Sequence, residues 1–231
     1  MSERSALHGR VDAAAQTGLL SNVYLWMTGG LVLSGAVAWF VVSQDMLFRA
    51  ILGNPMLYFG LIIGELALVW FLSARIMTMG VGAASGGFIA FAALNGVTLS
   101  VIAAVYTTQE IAQAFFIAAG MFAGMSVYGH VTKRDLTSIG SFLSMGLLGL
   151  MIAIVVNLLV GSGILDLLIS IGGVALFLGL TAYDTQVIKR WQAEAGSMDE
   201  TTFVRLSVLG ALKLYLDMLN LFLFLLRLGR R

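Results

Sequence analysis

Residues 207–228, SVLGALKLYLDMLNLFLFLLRL, form an apolar run that carries Lys213, Asp217 and Asn220 inside it. Those three recur at i, i+4 and i+7, so a helix stacks them on one face. The opposite face is Leu, Val, Phe and Met. A run of this length reads as a membrane-spanning helix, and a carboxylate inside one is costly and needs a partner. The preceding apolar segment ends in Thr181-Ala-Tyr-Asp-Thr-Gln186, and its Asp184 is the best candidate. Two carboxylates on neighbouring helices make a coupled, pH-sensitive pair, because close like charges cannot both ionise freely. That pair is the expected centre of function.

Composition agrees with a membrane setting. Of 231 residues 59% are hydrophobic and 11% charged, where a soluble domain carries about 25% charged residues. The chain reads as an all-α polytopic membrane protein, with a polar cytoplasmic arm over residues 1–22 and one transmembrane domain over 23–231. The basic residues are scattered and the net charge is +1, so no nucleic-acid footprint is present. The absence of cysteine excludes disulfides and thiolate metal sites. No A-x-A-type cleavage site follows the first apolar run, so the first span is expected to remain as an anchor.

About seven crossings of roughly twenty residues each follow from the apolar runs. They cover approximately 23–42, 56–76, 84–106, 111–130, 138–160, 164–188 and 207–228. Pro55 sits where the second begins, the helical position that tolerates proline. Lys189 and Arg190 are expected to stop the sixth, leaving 191–206 as the longest polar connection. Gly120 and Gly124 stand in small-xxx-small spacing, which lets two helix backbones approach closely in lipid. Basic residues orient the chain. With the N-terminus in the cytoplasm, Arg4, Arg10, Arg75, Lys133, Arg134, Lys189, Arg190, Arg205 and Lys213 lie inside, against Arg49, Arg227, Arg230 and Arg231 outside. That topology puts Arg75, Asp184, Lys213 and Asp217 at similar depth in the cytoplasmic half, with Glu65 about 15 Å deeper.

Arg75 and Glu65 each have two readings. Arg75 is either a latch bridging to Asp184 or Asp217, or an ordinary basic residue flanking a span. Glu65, mid-span, either lines an ion path or hydrogen-bonds as a neutral acid. Asn220 shares the face of Asp217 and can line the same path, whereas Asn95, Thr98, Ser100 and Asn157 read as helix-to-helix hydrogen-bonding residues.

The Thr181–Gln186 motif, followed by Leu209-Gly-Ala-Leu-Lys-Leu-Tyr-Leu-Asp-Met-Leu-Asn-Leu-Phe222, resembles the Bax inhibitor-1 family of membrane proteins. Asn95-Gly-Val-Thr-Leu-Ser100 and Tyr128-Gly-His-Val-Thr-Lys-Arg-Asp135 are similar to the third span and fourth loop of that family. The wording is closest to its Gram-negative bacterial branch, and the likeness runs from about Tyr24 onward. The resemblance implies seven helices, two three-helix layers around a central C-terminal helix, in a bacterial inner membrane. It also implies a pH-sensitive calcium leak gated by Asp184 and Asp217, with Arg75 as a gating arginine. Lys213 departs from the pattern, where a neutral residue is common, and its ammonium would tune the pair.

Oxygen-only side chains (Glu65, Asp184, Asp217, Asn220) suit a hard cation such as calcium, with Asp184 and Asp217 as candidate ligands to it. No cofactor is expected beyond that transported or bound ion, and no nucleotide motif supports pumping. An intramembrane aspartyl protease would also use two aspartates on adjacent helices. Here Asp217 is preceded by Leu214-Tyr215-Leu216 rather than Gly-x-Gly, and no Pro-Ala-Leu element exists. A regulatory partner of a membrane quality-control protease is the other alternative.

Overall fold

The computed structural model describes the backbone of residues 2–230 and the side chains of residues 18–230. The arm residues Glu3, Arg4, Arg10 and Asp12 therefore lie outside the described side chains. The chain is helical throughout: α1 (Ser2–Ser43), α2 (Asp45–Leu52), α3 (Pro55–Arg75), α4 (Val81–Leu99), α5 (Thr108–Val131), α6 (Thr137–Val160), α7 (Gly163–Glu194) and α8 (Glu200–Gly229). Short 3-10 turns at Ser100–Ala104 and Ala195–Ser197 follow α4 and α7. Among the described residues, seven helices are long and apolar enough to cross a membrane, all but α2. The most apolar stretch of α8 is 67% buried, against 6–39% for the others. The segment that decided the fold is the most enclosed one.

Local chemistry explains most boundaries. Pro55 opens α3, and the Asn54 side chain caps it by accepting from the Leu57 N–H at 3.1 Å. Gly161 ends α6 in the left-handed conformation at φ 68°, which suits a residue without Cβ. Ser162 then accepts from the Leu165 N–H at 3.3 Å, starting α7.

Three expectations need correction. Lys189 and Arg190 do not stop α7, which runs on to Glu194; both are good helix formers, and leaving the membrane removes apolarity without breaking backbone bonds. The 191–206 connection is correspondingly short, because α8 starts at Glu200 rather than Ser207. Asp199 sets that start, accepting from the Thr202 hydroxyl at 2.6 Å and the Thr202 N–H at 3.1 Å. The Thr202 hydroxyl, then its N–H, hold the Asp199 carboxyl below the ordinary aspartate range. The contribution of this cap is therefore complete above the usual aspartate pKa and is lost as pH falls through the lowered one. The third correction is α2, a helix that fills most of the gap left between the first two spans.

The helices fall into two compact units: Met1–Thr107 with Arg190–Tyr215, and Thr108–Lys189 with Leu216–Arg231. In the first, α1 and α4 touch at Gly96, where an added Cβ would meet the Ser34 carbonyl at 2.6 Å. Ser34 donates to the Ala92 carbonyl at 2.7 Å and lies 2.7 Å from the Tyr215 hydroxyl. Tyr215, fully buried, donates in turn to Asn95 Oδ1 at 3.2 Å. The rings of Phe88 and Phe91 meet that of Tyr215 edge-on, at 5.9 and 5.7 Å. A second cluster of Leu19, Ala195 and Leu206 packs with Trp191, Met198 and Phe203.

In the second unit Gly129 and Gly140 are among the glycines at close approaches. A Cβ at Gly129 would collide with the Ala182 backbone of α7, and one at Gly140 with the Tyr183 ring. Gly120 and Gly124, whose spacing suggested helix contact, have nothing within 4 Å of an added Cβ. The buried face of α5 carries Ala114, Ala118, Phe122, Ser126 and Gly129, on a different side of the helix from those two exposed glycines.

Candidate functional site

The stretch Ala182–Gln186 is fixed on several sides. Ala182 lies against Gly129 and Tyr183 against Gly140. The Thr185 hydroxyl is 3.0 Å from that of Ser126, and Gln186 bridges the α5–α6 connection. Its Oε1 accepts from the Leu136 N–H at 2.9 Å, and its Nε2 donates to the Arg134 carbonyl at 2.8 Å. These contacts use the α5 and α6 sides of α7. Asp184, at about 100° per residue, is left on the remaining side.

That side meets α8. Asp166, Gly173, Phe177 and Asp184 share one stripe of α7, since Asp166 and Asp184 are eighteen residues, five full turns, apart. On α8 the matching stripe is Asp217, Asn220, Phe224 and Arg227. Three contacts join the stripes. Arg227 pairs with Asp166, Phe224 fills the space a Cβ at Gly173 would need, and Phe177 and Phe224 stack at 5.9 Å and 25°. The helices are therefore antiparallel, and register follows from the stacked rings. Asp184 comes seven residues after Phe177, and Asp217 seven before Phe224. Both lie about 10 Å from that stack, level with each other to within about one turn. Asp184 is 6% exposed and Asp217 4% exposed. The two carboxylates thus occupy facing stripes of packed helices, away from water.

Residues 16–230 match the family profile described as inhibitor of apoptosis-promoting Bax1. The chain belongs to the Bax inhibitor-1 family. It is 44% identical over 208 residues to "Inner membrane protein YbhL" of Escherichia coli K12, covering 90% of this chain and 89% of that one. An uncharacterized protein of Borreliella burgdorferi is 43% identical over 215 residues, covering 92% and 91%. One from Deinococcus radiodurans is 40% identical over 210 residues, covering 91% and 89%.

The remaining candidate residues of this Bax inhibitor-1 protein fall in different places. Asn220 is half-buried and donates to the Leu216 carbonyl of its own helix at 2.8 Å. Lys213 is half-buried one turn before Asp217. Glu65 belongs to the first unit, where the Thr98 hydroxyl lies 2.6 Å from its carboxyl. Arg75 ends α3 in that unit with its side chain exposed, and among the described residues it makes no ion pair. His130 accepts at its backbone carbonyl from Lys189 Nζ at 2.5 Å.

Sequence reasoning missed the Asp166–Arg227 pair. Arg227 served there only to count topology, and Asp166 was passed over. The signal available was the shared stripe with Asp184 and with Asp217. Asn157 adds to the cluster, with Nδ2 3.5 Å from Asp166 and Oδ1 accepting from the Ser162 N–H at 3.0 Å. The ion pair is part-buried, at 33% and 26% side-chain exposure. A double-mutant cycle with Asp166→Asn and Arg227→Gln should give a coupling of about 1 kcal/mol in detergent unfolding. Coupling near zero would remove it as the clamp of the α7–α8 register.

Proposed function

We propose that the protein is a pH-sensitive passive calcium leak of the bacterial inner membrane. Its Escherichia coli relative is an inner membrane protein by name, which supports the same setting for this chain. The leak itself is supported chiefly by one observation: two buried aspartates stand on facing stripes of α7 and α8. Two carboxylates so placed in a poorly hydrated site share a proton readily and tolerate a double charge badly. With one proton between them they hold α7 to α8. Doubly ionised, they repel and offer oxygen ligands to a hard cation.

In this reading Asn220 lines the path beside Asp217. The Lys213 ammonium favours the ionised pair, and Arg75, exposed at the end of α3, is the candidate latch. Calcium is cargo, not a resident cofactor. The alternative roles, a regulator of a membrane quality-control protease or an aspartyl protease, need no flux through the isolated chain.

The test is calcium entry into liposomes that contain only this protein, followed across pH. Flux that titrates supports the leak. Absence of flux at every pH would favour the regulator, and cleavage of a helical substrate in the same vesicles would favour the protease.

A further inference from the structure

Glu65 is the midpoint of α3, ten residues from Pro55 and ten from Arg75, so about 15 Å of helix separates it from either end. Only 6% of the apolar stretch of α3 is buried against the rest of the chain. Glu65 itself is half-buried, and the neighbouring Ile63 and Leu66 are 65% and 58% exposed. In a bilayer, acyl chains cover that surface. A carboxylate at such a depth demands a cation or water. Among the described residues Glu65 has no ion-pair partner, and its hydrogen bond is with Thr98 alone.

The proton count at Thr98 points the same way. Its hydroxyl oxygen is 2.6 Å from the Glu65 carboxyl and 2.9 Å from the Asn95 carbonyl, and it owns one proton. Both contacts become full hydrogen bonds when Glu65 is the acid, donating to Thr98 Oγ1 while Thr98 donates to Asn95. The acceptor is the Asn95 backbone carbonyl, while Tyr215 donates to the Asn95 side chain. The ionisable surroundings are sparse. Packed on this side, α4 carries no ionisable side chain, and α2 brings Asp45 and Arg49 only near the start of α3. Tyr58 lies two turns earlier on α3 itself, and Tyr215 of α8 stands behind Asn95.

We infer that Glu65 is a proton-binding site opening onto the hydrocarbon, a neutral carboxylic acid that donates to Thr98 and is open to covalent modification by hydrophobic carbodiimides. The site concerns the first unit only and does not depend on the Asp184–Asp217 pair.

Carbodiimide chemistry reads the proposal directly. The carboxyl proton moves to a carbodiimide nitrogen, the carboxyl oxygen adds to the central carbon, and the O-acylisourea rearranges to a stable N-acylurea. Nothing leaves, so the peptide gains the mass of one whole reagent. The full chain in liposomes is treated with dicyclohexylcarbodiimide or with a water-soluble carbodiimide plus an amine nucleophile, and modified peptides are mapped by mass spectrometry. The expected result is modification of Glu65 by the hydrophobic reagent, about tenfold or more above the water-soluble one. It should fade as pH becomes alkaline and vanish in Glu65→Gln. Preferential or equal modification by the water-soluble reagent would overturn the inference and place Glu65 on an aqueous path. No modification by either reagent would overturn it as well.

Discussion

Replacing either Asp184 or Asp217 by asparagine is expected to flatten the pH dependence of calcium flux, from about tenfold across the titration to about twofold or less. Each substitution removes one charge and leaves an amide that still donates a hydrogen bond to the surviving carboxylate. Either variant therefore mimics the singly protonated pair and favours the state in which α7 and α8 stay together. The double variant Asp184→Asn with Asp217→Asn should add little, since the repulsion is gone after the first change. Such non-additivity identifies a shared site. Single variants that keep the wild-type pH profile would move the titrating group elsewhere, and Glu65 would be the next carboxyl to replace.

The second large effect is structural and lies beside the same residues. Gly129→Val should cost about 3 kcal/mol or more, because its Cβ would strike the Ala182 backbone, which no rotamer change can move. The spacing of α5 and α7 would have to open, disturbing the Ser126–Thr185 contact and the stretch that aims Asp184. Gly124→Val meets nothing within 4 Å and should stay within about 0.5 kcal/mol. Detergent unfolding of the two purified variants checks the contrast. Equal losses would show that the α5–α7 approach at Gly129 does not govern stability.

That pair of glycines also marks where sequence stops being informative. The lengths, the apolar runs and Pro55 specify seven spans, because a bilayer demands about twenty apolar residues whatever the details. Which face of a span meets its neighbour is a different matter. In lipid every face is apolar, so hydrophobic periodicity falls silent, and Gly120 and Gly124 look as suited to contact as Gly129 does. The costly polar groups remain legible because their expense is absolute. Asp184, Asp217 and Glu65 stood out for that reason. Asp166 was hidden because it lies near the start of its span, where a carboxylate is ordinary, and its partner Arg227 is 61 residues away. The end of α7 was misjudged because Lys189 and Arg190 signal the membrane surface, not the end of a helix.

The proposed gate requires Asp184 and Asp217 to face each other across α7 and α8. The chain contains no cysteine, so a pair of introduced cysteines reports on this without interference. Asp184→Cys with Asp217→Cys should form an intramolecular disulfide under mild oxidation, which needs Cα atoms within about 7 Å. Tyr183→Cys with Asp217→Cys should not, because Tyr183 points to Gly140 on α6. Efficient bridging of the first pair alone is the predicted result; failure to bridge it, or equal bridging of both, would contradict the facing pair.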